Sequence, residues 1–433
     1  MKICSVRCIV MLAILSALCA ASDQPAYRTI NQSAYLKISN NSGDSFFGTS
    51  VAVAGDVIVV GAENQGTDRQ GAAFVFTKSG NSWKQVAELV ASDRLAQEFV
   101  GYSLAITSDG NTIFAGAPEL PSTKQTAGSV YVFVKPAGGW TNMTETAKLT
   151  AAHSSFLGTA LSVSGDGTTL AVGSGGTSAH VFVEPTGGWA NTTEATATLT
   201  DSQQGAAWRY PAISGDGSTI ADGAVDGKTQ NGLAFVYLRP GSQWQGTVQP
   251  TADLTPSVIS SPPGYGDDFG AGIATDGNIV AIGATNQNNL QGEAYIYVKP
   301  TSGWTNMTET ATIAAPQVAA PSDFFGWPVV ISGTAVLVGY EAAITDENGT
   351  QDLSGEVFGY VEPKGGWVNT NIPNFSLLPN PTLKSNLVQV FLFCNGLAID
   401  GNTNTVVVGA PGTWYKGQPQ QGFPGLGFVF NLP

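Results

Sequence analysis

Apolar and polar residues in this chain alternate over short stretches, a pattern that favours strands over helices. Residues 73–76 and 130–134 combine aromatic with β-branched side chains, a composition typical of strands. Clusters of Gly, Asp and Asn, such as Gly165-Asp166-Gly167, separate these segments and supply the positive φ angles of tight hairpin turns. The pattern therefore predicts an all-β chain of many short strands.

One unit of this pattern recurs seven times along the chain. It opens on an aromatic or aliphatic residue followed by glycine, which Arg209 and Cys394 replace in the fourth and seventh copies. A polar turn and a β-branched segment ending in glycine come next. An aromatic strand, a Pro/Gly turn with tryptophan and a weaker strand follow. The seven copies open at Phe47-Gly48, Val100-Gly101, Leu157-Gly158, Trp208-Arg209, Phe269-Gly270, Phe325-Gly326 and Phe393-Cys394. Four short strands per unit predict a seven-bladed β-propeller of four-stranded antiparallel blades.

The two ends of the chain complement each other. The last copy ends at its third strand, residues 427–431, whereas residues 34–39 precede the first copy and resemble the fourth strand of the others. We therefore expect the N-terminal strand to complete the last blade and close the ring. Closure protects the strand edges that an open array would expose.

The first 22 residues have the parts of a secretory signal: basic Lys2 and Arg7, an apolar run over residues 9–18, and a small-residue stretch after it. This predicts a signal peptide at 1–22 and one propeller domain at 23–433, secreted, extracytoplasmic or held at the cell surface. Lipid attachment at Cys19 is an alternative that bulky Leu18 disfavours. No later run is long and apolar enough to predict membrane insertion. Only Cys394 of the four cysteines follows the signal, so no internal disulfide is expected.

The composition is acidic, with 18 Lys and Arg against 32 Asp and Glu and a net charge of −14. An acidic surface repels phosphate backbones, so no nucleic-acid partner is expected. Only 12% of the residues are charged, which is too few for a disordered acidic chain.

No motif in the chain indicates catalysis. Its two histidines, His153 and His180, have no serine or cysteine motif around them, and with a single cysteine they form no convincing zinc set. Cys394 stands where the repeat has glycine, which predicts a buried, inert thiol. We therefore expect no enzyme activity and no catalytic residues. Paired carboxylates acting on a polysaccharide remain an open alternative, since distant carboxylates can meet in a fold.

These repeats resemble the FG-GAP family, the blade unit of the integrin α-subunit head and of many secreted bacterial proteins. Phe47-Gly48 and Phe325-Gly326 match the first part of that motif, and Gly116-Ala117-Pro118 and Gly409-Ala410-Pro411 match the second. The recurring Pro-x-Gly-Gly-Trp followed by Asn-x-Thr is most similar to the bacterial secreted members. The resemblance implies adhesion or ligand binding rather than one fixed chemistry.

Many FG-GAP blades bind calcium in the first hairpin through carboxylates at alternating positions. The hairpins of this chain carry one carboxylate each, so the resemblance does not extend to calcium and no cofactor is expected. The loop with Asp346, Asn348 and Asp352 has oxygen groups at alternating positions and is the one calcium candidate. A solvated loop is the alternative.

The tryptophans fall into two groups. Six recur at one repeat position, which indicates packing between blades: Trp83, Trp140, Trp189, Trp244, Trp304 and Trp367. Trp208 and Trp327 instead lie at the start of the innermost strand, and Trp414 lies in a long loop. Off-repeat aromatic residues near loops are better ligand candidates. The predicted ligand-binding residues are Trp208, Arg209, Tyr210, Trp327, Trp414 and Tyr415, with local packing as the alternative.

Loop length indicates which face carries the function. The loops between second and third strands vary widely, as at residues 340–355 and 410–427, and so do the links between blades. In a propeller both loop classes lie on one face, and function commonly resides on variable loops of a rigid scaffold. The sequence predicts a non-catalytic binding or adhesion propeller that recognises a protein or glycan ligand through this face. A structural module of an envelope or matrix is the alternative, and a polysaccharide-acting enzyme is the weakest.

Overall fold

The short strands fold into seven blade sheets that stand around a central channel. The computed structural model describes residues 27–39, 44–118, 127–152, 154–201, 206–226, 232–258, 266–316, 324–345, 351–379, 387–389, 393–415 and 424–433. Within those ranges the only helix is a single turn at Gln287–Leu290. The predicted seven-bladed β-propeller is confirmed.

Each blade has four antiparallel strands, numbered from the innermost strand outward. Blade 1 consists of Phe47–Ala54, Val57–Ala62, Ala72–Ser79 and Ser82–Val90, and blade 2 of Ser103–Ile106, Thr112–Ala117, Ser129–Val134 and Ala147–Leu149. Blade 3 consists of Leu161–Val163, Thr169–Val172, Ser178–Val183 and Ala197–Thr200, and blade 4 of Ala206–Ile213, Thr219–Asp226, Leu233–Leu238 and Ala252–Thr255. In blades 5 to 7 they are Phe269–Thr275, Ile279–Ala284, Glu293–Val298 and Ala311–Ala314; Val329–Ser332, Ala335–Thr345, Gln351–Val361 and Phe375–Leu378; and Gly396–Asp400, Thr405–Ala410, Leu426–Asn431 and Ala34–Leu36.

The ring closes as the sequence predicts. Ala34–Leu36 pairs antiparallel with Leu426–Asn431 and supplies the missing fourth strand of blade 7. The segment just before it was not anticipated: Arg28–Asn31 pairs in parallel with Phe375–Leu378 at the outer edge of blade 6. The N-terminus is thus bound to two adjacent blades.

Hydrophobic residues concentrate between the blades. Among the described residues seven apolar clusters occur, one at each interface of neighbouring blades. The cluster at the closure joins Val407 and Val429 of blade 7 to Val51 and Ile58 of blade 1. Since apolar burial is the main stabilising term in folding, every blade depends on both of its neighbours.

A close backbone contact repeats at these interfaces. The glycine that ends a second strand lies against the backbone carbonyl that opens the next blade's first strand. A Cβ at Gly223 would lie 2.0 Å from the carbonyl oxygen of Gly270, and one at Gly409 would lie 1.9 Å from that of Gly48. Only a residue without a side chain fits these positions, which explains why the β-branched runs end in glycine.

A further parallel strand extends several blades, so the expectation of four strands per blade is incomplete. The loop after the repeat tryptophan reaches back to the outer strand of the preceding blade. Met143–Thr144 joins blade 1, Gly246–Val248 joins blade 3, and Met307–Thr308 joins blade 4. Single bridges of the same kind join Thr192 to blade 2 and Thr370 to blade 5.

The repeat tryptophans anchor these loops, and five of the six are buried: Trp140, Trp189, Trp244, Trp304 and Trp367. The indole Nε1–H of Trp244 donates a hydrogen bond of 2.8 Å to the carbonyl of Gly217 in the first hairpin of its own blade. The ring of Trp189 in blade 3 packs edge-on against Phe114 of blade 2. The expected packing role between blades is confirmed.

Candidate functional site

One residue from each blade surrounds a cavity of about 740 Å³ at one mouth of the channel. Each comes directly after the glycine position that opens the repeat. These seven residues, in blade order, are Thr49, Tyr102, Thr159, Tyr210, Ala271, Trp327 and Asn395. We call them the mouth ring. They lie where first strands begin and second strands end, so the variable loops occupy the same face.

The backbone of the repeat directs these side chains into the channel. The glycine before the ring position has a left-handed conformation, with φ of 88° at Gly101 and 119° at Gly326. The residue before that glycine, Val100 or Phe325, is fully buried between blades. The bend at this position separates the interblade side chain from the channel-facing one. Glycine suits the bend because other L-residues rarely adopt these angles.

Bulky and small residues alternate around the mouth ring. Tyr102, Tyr210 and Trp327 come from blades 2, 4 and 6, and residues without large rings come from the other four. Among the described residues, none of these three rings stacks on another aromatic ring. Each is partly exposed to the cavity. Three aromatic faces are therefore available to a ligand, with open space between them.

A carboxylate lies beside the aromatic residues. Glu63 follows the second strand of blade 1 and lines the cavity together with Tyr102. Burial raises the pKa of Glu63 to about 7, an effect that Arg69 partly offsets. Its Oε2 atom is buried and has no hydrogen-bond partner among the described residues. Burial, and then the charge of Glu63, raise the pKa of Tyr102.

The cavity has an apolar rim and continues inward. Phe46 and Phe324 line it at the loops that precede blades 1 and 6, and Phe324 is 36% exposed. Below Tyr210 and Trp327 the channel, about 390 Å³ in volume, is lined by the first strands. Aromatic walls, one carboxylate and the amide of Asn395 make a pocket with apolar and polar groups, as small-molecule sites have.

Two of the six predicted ligand residues, Tyr210 and Trp327, belong to the mouth ring. Trp208 occupies the interblade position of blade 4, where its ring lies 5.3 Å from that of Phe156. Trp414 and Tyr415 form a two-residue strand that pairs with Leu387–Gln389 above blade 7, where a loop was expected.

Arg209 is fully buried and does not belong to the candidate surface. It replaces the repeat glycine, and Asp222 replaces an apolar residue of the second strand. The guanidinium donates to Asp222 Oδ2 at 2.8 Å through Nε, pairs with Asp201, and donates to the Tyr237 hydroxyl at 3.1 Å. The arginine is thus paired with two carboxylates inside the sheet, while Asp222 Oδ1 has no hydrogen-bond partner among the described residues.

Sequence reasoning missed Tyr102 and Glu63. The signal for Tyr102 was available, because it occupies the same repeat position as Trp327 in an alignment of the seven copies. Glu63 follows the Gly-Ala of its repeat, where Pro118 and Pro411 stand in two others. A carboxylate at a position that otherwise carries proline was the available indication.

The first hairpins use their carboxylates within the turn. Asp216 accepts hydrogen bonds from the Ser214 hydroxyl at 2.5 Å and the Ser218 backbone N–H at 3.0 Å, which hold its pKa below the ordinary value. In the described part of the chain no cluster of three or more His, Cys, Asp or Glu suits a metal. Of the candidate calcium loop, Asp346 and Asn348 lie outside the described residues, and Asp352 lies opposite Ile344 in the blade 6 hairpin. The expectation of no cofactor stays a prediction.

Of the remaining residues singled out in the sequence, two are buried and the others lie outside the described residues. Cys394 is buried at the glycine position with φ of 77°, as expected for an inert thiol. His180 is buried in the third strand of blade 3, and burial lowers its pKa to about 4. Residues 1–22, with Cys19, and also His153, lie outside the described residues.

Comparison with protein families gives one match. The model of the FG-GAP repeat matches residues 31–76 and 83–133. This match and the seven blades together support an FG-GAP repeat propeller. Each match begins at the fourth strand of one blade and ends in the third strand of the next, so the family unit itself contains the closure that Ala34–Leu36 makes. No curated protein matches the chain.

FG-GAP repeats are typical of extracellular proteins and typically have no enzyme activity, and this propeller fold suits a binding module. In the described residues no helix is long and apolar enough to cross a membrane.

Proposed function

We propose that this FG-GAP propeller is a non-catalytic binding module, exported from the cell, that recognises a glycan at the mouth ring. The observation that carries the proposal is the set of three unstacked aromatic rings, Tyr102, Tyr210 and Trp327, around one cavity. Exposed aromatic residues on a rigid scaffold are common anchors of recognition sites. If the seven residues of the mouth ring served only packing, large and small residues would have no reason to alternate.

The chemistry of the pocket suits a sugar. A sugar ring has an apolar face that stacks on aromatic side chains and hydroxyls that need hydrogen-bond partners. Glu63, Thr285 and Asn395 offer such partners within the same cavity. Its volume of about 740 Å³ is in the range of small-ligand sites.

The same pocket argues against hydrolysis of that sugar. Glycosidases commonly act with two carboxyl groups that face each other across the scissile bond. Among the described residues that line the cavity, Glu63 is the single carboxylic acid. The Glu63 carboxylate, whose Oε2 has no hydrogen-bond partner among the described residues, can accept hydrogen bonds from sugar hydroxyls without a second acid. The structural-module alternative lacks a comparable supporting observation.

The test is a glycan array combined with a panel of matrix proteins, probed with the purified mature chain. We expect a specific glycan hit that Trp327→Ala removes. Tyr35→Ala serves as the matched control, because Tyr35 is 44% exposed on the outer rim and lies outside the mouth. A hit confined to matrix proteins would replace the glycan by a protein ligand. No hit with folded, monodisperse protein would refute the proposal and favour the structural module.

A further inference from the structure

The outer strands of six blades pair with an additional parallel segment, and the outer strand of the seventh differs. Blades 1 to 5 each receive a backbone contact from the loop after the next blade's tryptophan. Blade 6 receives Arg28–Asn31 in the same parallel orientation, just before the chain enters blade 7 at Ala34–Leu36. Six of the seven outer strands therefore have a parallel neighbour.

These six neighbours show which chemistry the edge accepts. On blade 1 the side chain of Asn142 accepts a hydrogen bond of 2.8 Å from the backbone N–H of Glu88. Three residues later, Glu145 accepts the N–H of Ser92 at 2.8 Å and its hydroxyl at 2.6 Å. Blade 4 repeats the pattern, with Asn306 and Glu309 in place of Asn142 and Glu145.

Where the neighbour pairs at a single residue, two backbone hydrogen bonds join it to the outer strand. On blade 2, the Thr192 N–H donates to the Lys148 carbonyl at 3.1 Å, and the Thr150 N–H donates to the Thr192 carbonyl at 3.0 Å. Blade 5 repeats both bonds with Thr370. The accepted segment is an extended Asn-x-Thr on blades 1, 2 and 4, and on blades 1 and 4 it reads Asn-Met-Thr-Glu. Blade 5 receives Asn369-Thr370-Asn371, and the segments on blades 3 and 6 do not have this pattern.

Blade 7 lacks this neighbour among the described residues. Its outer strand, Ala34–Leu36, is the terminal strand of its sheet. The segment that would cover it belongs to blade 1, where Ala72–Ser79 and Ser82–Val90 are joined by a tight hairpin without the tryptophan loop. The position next to Ala34–Leu36 is a groove of about 750 Å³.

The outer strand of blade 7 has residues at the same positions as those that bind the parallel neighbour on the other blades. Aligning Ala34 with Ala87 and Ala147 places Tyr35 at the position of Glu88 and Lys148, and places Lys37 at that of Thr150. Ser39 falls at the position of Ser92. In blade 7 the Ser39 N–H donates at 3.0 Å to the side chain of Gln85 from blade 1, which takes the place of the glutamate.

The groove also favours an acidic occupant. Lys37 and Lys84 line it, and Lys78 lies 5.8 Å from the ring of Trp83, another lining residue. This concentration of lysine is unusual in a chain of net charge −14. Tyr35 and Val86, which are 44% and 38% exposed, add apolar surface to the same groove.

We infer that this groove, the seam groove, binds an extended acidic peptide of a partner protein as a parallel fifth strand of blade 7. The peptide presents asparagine to the Tyr35 N–H, as Asn142 does to the Glu88 N–H on blade 1. Its glutamate faces Lys37 and Lys84, because Gln85 already accepts the Ser39 N–H. Strand addition at an exposed edge is an established mode of peptide recognition. The seam groove is independent of the mouth ring, which lies at the channel rather than on the rim.

The probe is a labelled peptide with the sequence of residues 138–146, Gly-Gly-Trp-Thr-Asn-Met-Thr-Glu-Thr, titrated into the mature chain by fluorescence anisotropy. We expect saturable binding that weakens about tenfold when the peptide asparagine becomes alanine or its glutamate becomes glutamine, since each change removes a charge-assisted or backbone hydrogen bond. Trp327→Ala in the protein leaves binding unchanged, which separates this site from the mouth ring.

Two protein variants are expected to prevent peptide binding in different ways. Tyr35→Pro removes the N–H that faces the groove, a substitution that edge strands tolerate, and abolishes binding. A chimera that replaces residues 78–86 with residues 135–146 supplies the missing loop from within the chain. It is expected to exclude the peptide and to melt at a higher temperature, and it serves if Tyr35→Pro fails to fold.

Three results would overturn the inference. The wild-type chain could show no binding at millimolar peptide. The chimera could bind the peptide as well as wild type. The wild-type chain could be a dimer that Tyr35→Pro dissociates, which would make a second copy the occupant.

Discussion

The contact between Gly409 and blade 1 offers a direct test of ring closure. An alanine at position 409 would place its Cβ 1.9 Å from the carbonyl oxygen of Gly48, 1.1 Å short of the 3.0 Å that real Cβ atoms keep. All three nearest atoms belong to the backbone of Gly48, so no side chain can rotate away. Blades 7 and 1 must therefore separate locally for the substitution to fit.

The magnitude follows from the cost of overpacking. Extra carbon in a close-packed interior costs about 1–3 kcal/mol, and a clash with backbone belongs at the upper end. Unfolding entropy of about 2.1 cal/mol/K per residue over about 400 residues means that about 3 kcal/mol lowers Tm by about 3–4 °C. Differential scanning calorimetry at equal scan rates resolves such a shift.

Two matched variants make the result interpretable. Gly223→Ala meets the backbone of Gly270 at 2.0 Å, between blades 4 and 5, and is expected to cost as much as Gly409→Ala. Gly138→Ala meets no atom within 4 Å and is expected to be neutral. A loss of Tm for Gly223→Ala with none for Gly409→Ala would show that the ring is open between blades 7 and 1.

Other predictions concern buried charges. Because burial raises the pKa of Glu63 from 4.5 to about 7, the folded state binds the proton more tightly than the unfolded chain, and stability falls as pH rises through this window. Glu63→Gln should therefore gain up to about 3 kcal/mol relative to wild type between pH 4.5 and 8 in urea titrations, and a constant difference would refute this. His180, with its pKa lowered to about 4, has the opposite sign: stability falls as pH drops from 6.5 toward 4, and its imidazole NMR shifts should stay constant down to about pH 5. Asp222→Val should cost about 3 kcal/mol by leaving Arg209 short of a partner, and adding Arg209→Met should recover part of that loss; additive losses in the double variant would contradict the pairing.

The repeats made the architecture predictable. Seven glycine-bounded units imply seven blades, and the unpaired strands at the two ends imply their union, because a propeller leaves no other place for them. The parallel fifth strands were not predictable in the same way. Met143–Thr144 has no alternation of its own, and its pairing depends on the tryptophan anchor and on the side chain of Asn142.

The site was only partly predictable. Tyr210 and Trp327 were found as residues that depart from the repeat, but the repeat position itself, which also contains Tyr102, was not recognised as facing the channel. Arg209 shows the opposite error, because a departure from the repeat can be compensated inside the sheet by a second departure, in this case Asp222. Sequence alone does not show which departures meet a partner.

The most direct test of the central claim is isothermal titration calorimetry of the best array glycan against wild type and the single variants Tyr102→Ala, Tyr210→Ala and Trp327→Ala, with Tyr35→Ala as the control. If the mouth ring is the binding site, each ring variant weakens affinity by about tenfold or more, which corresponds to about 1.4 kcal/mol, and the control binds as wild type does. Equal affinity of all five proteins would contradict the claim and place the ligand elsewhere on the propeller.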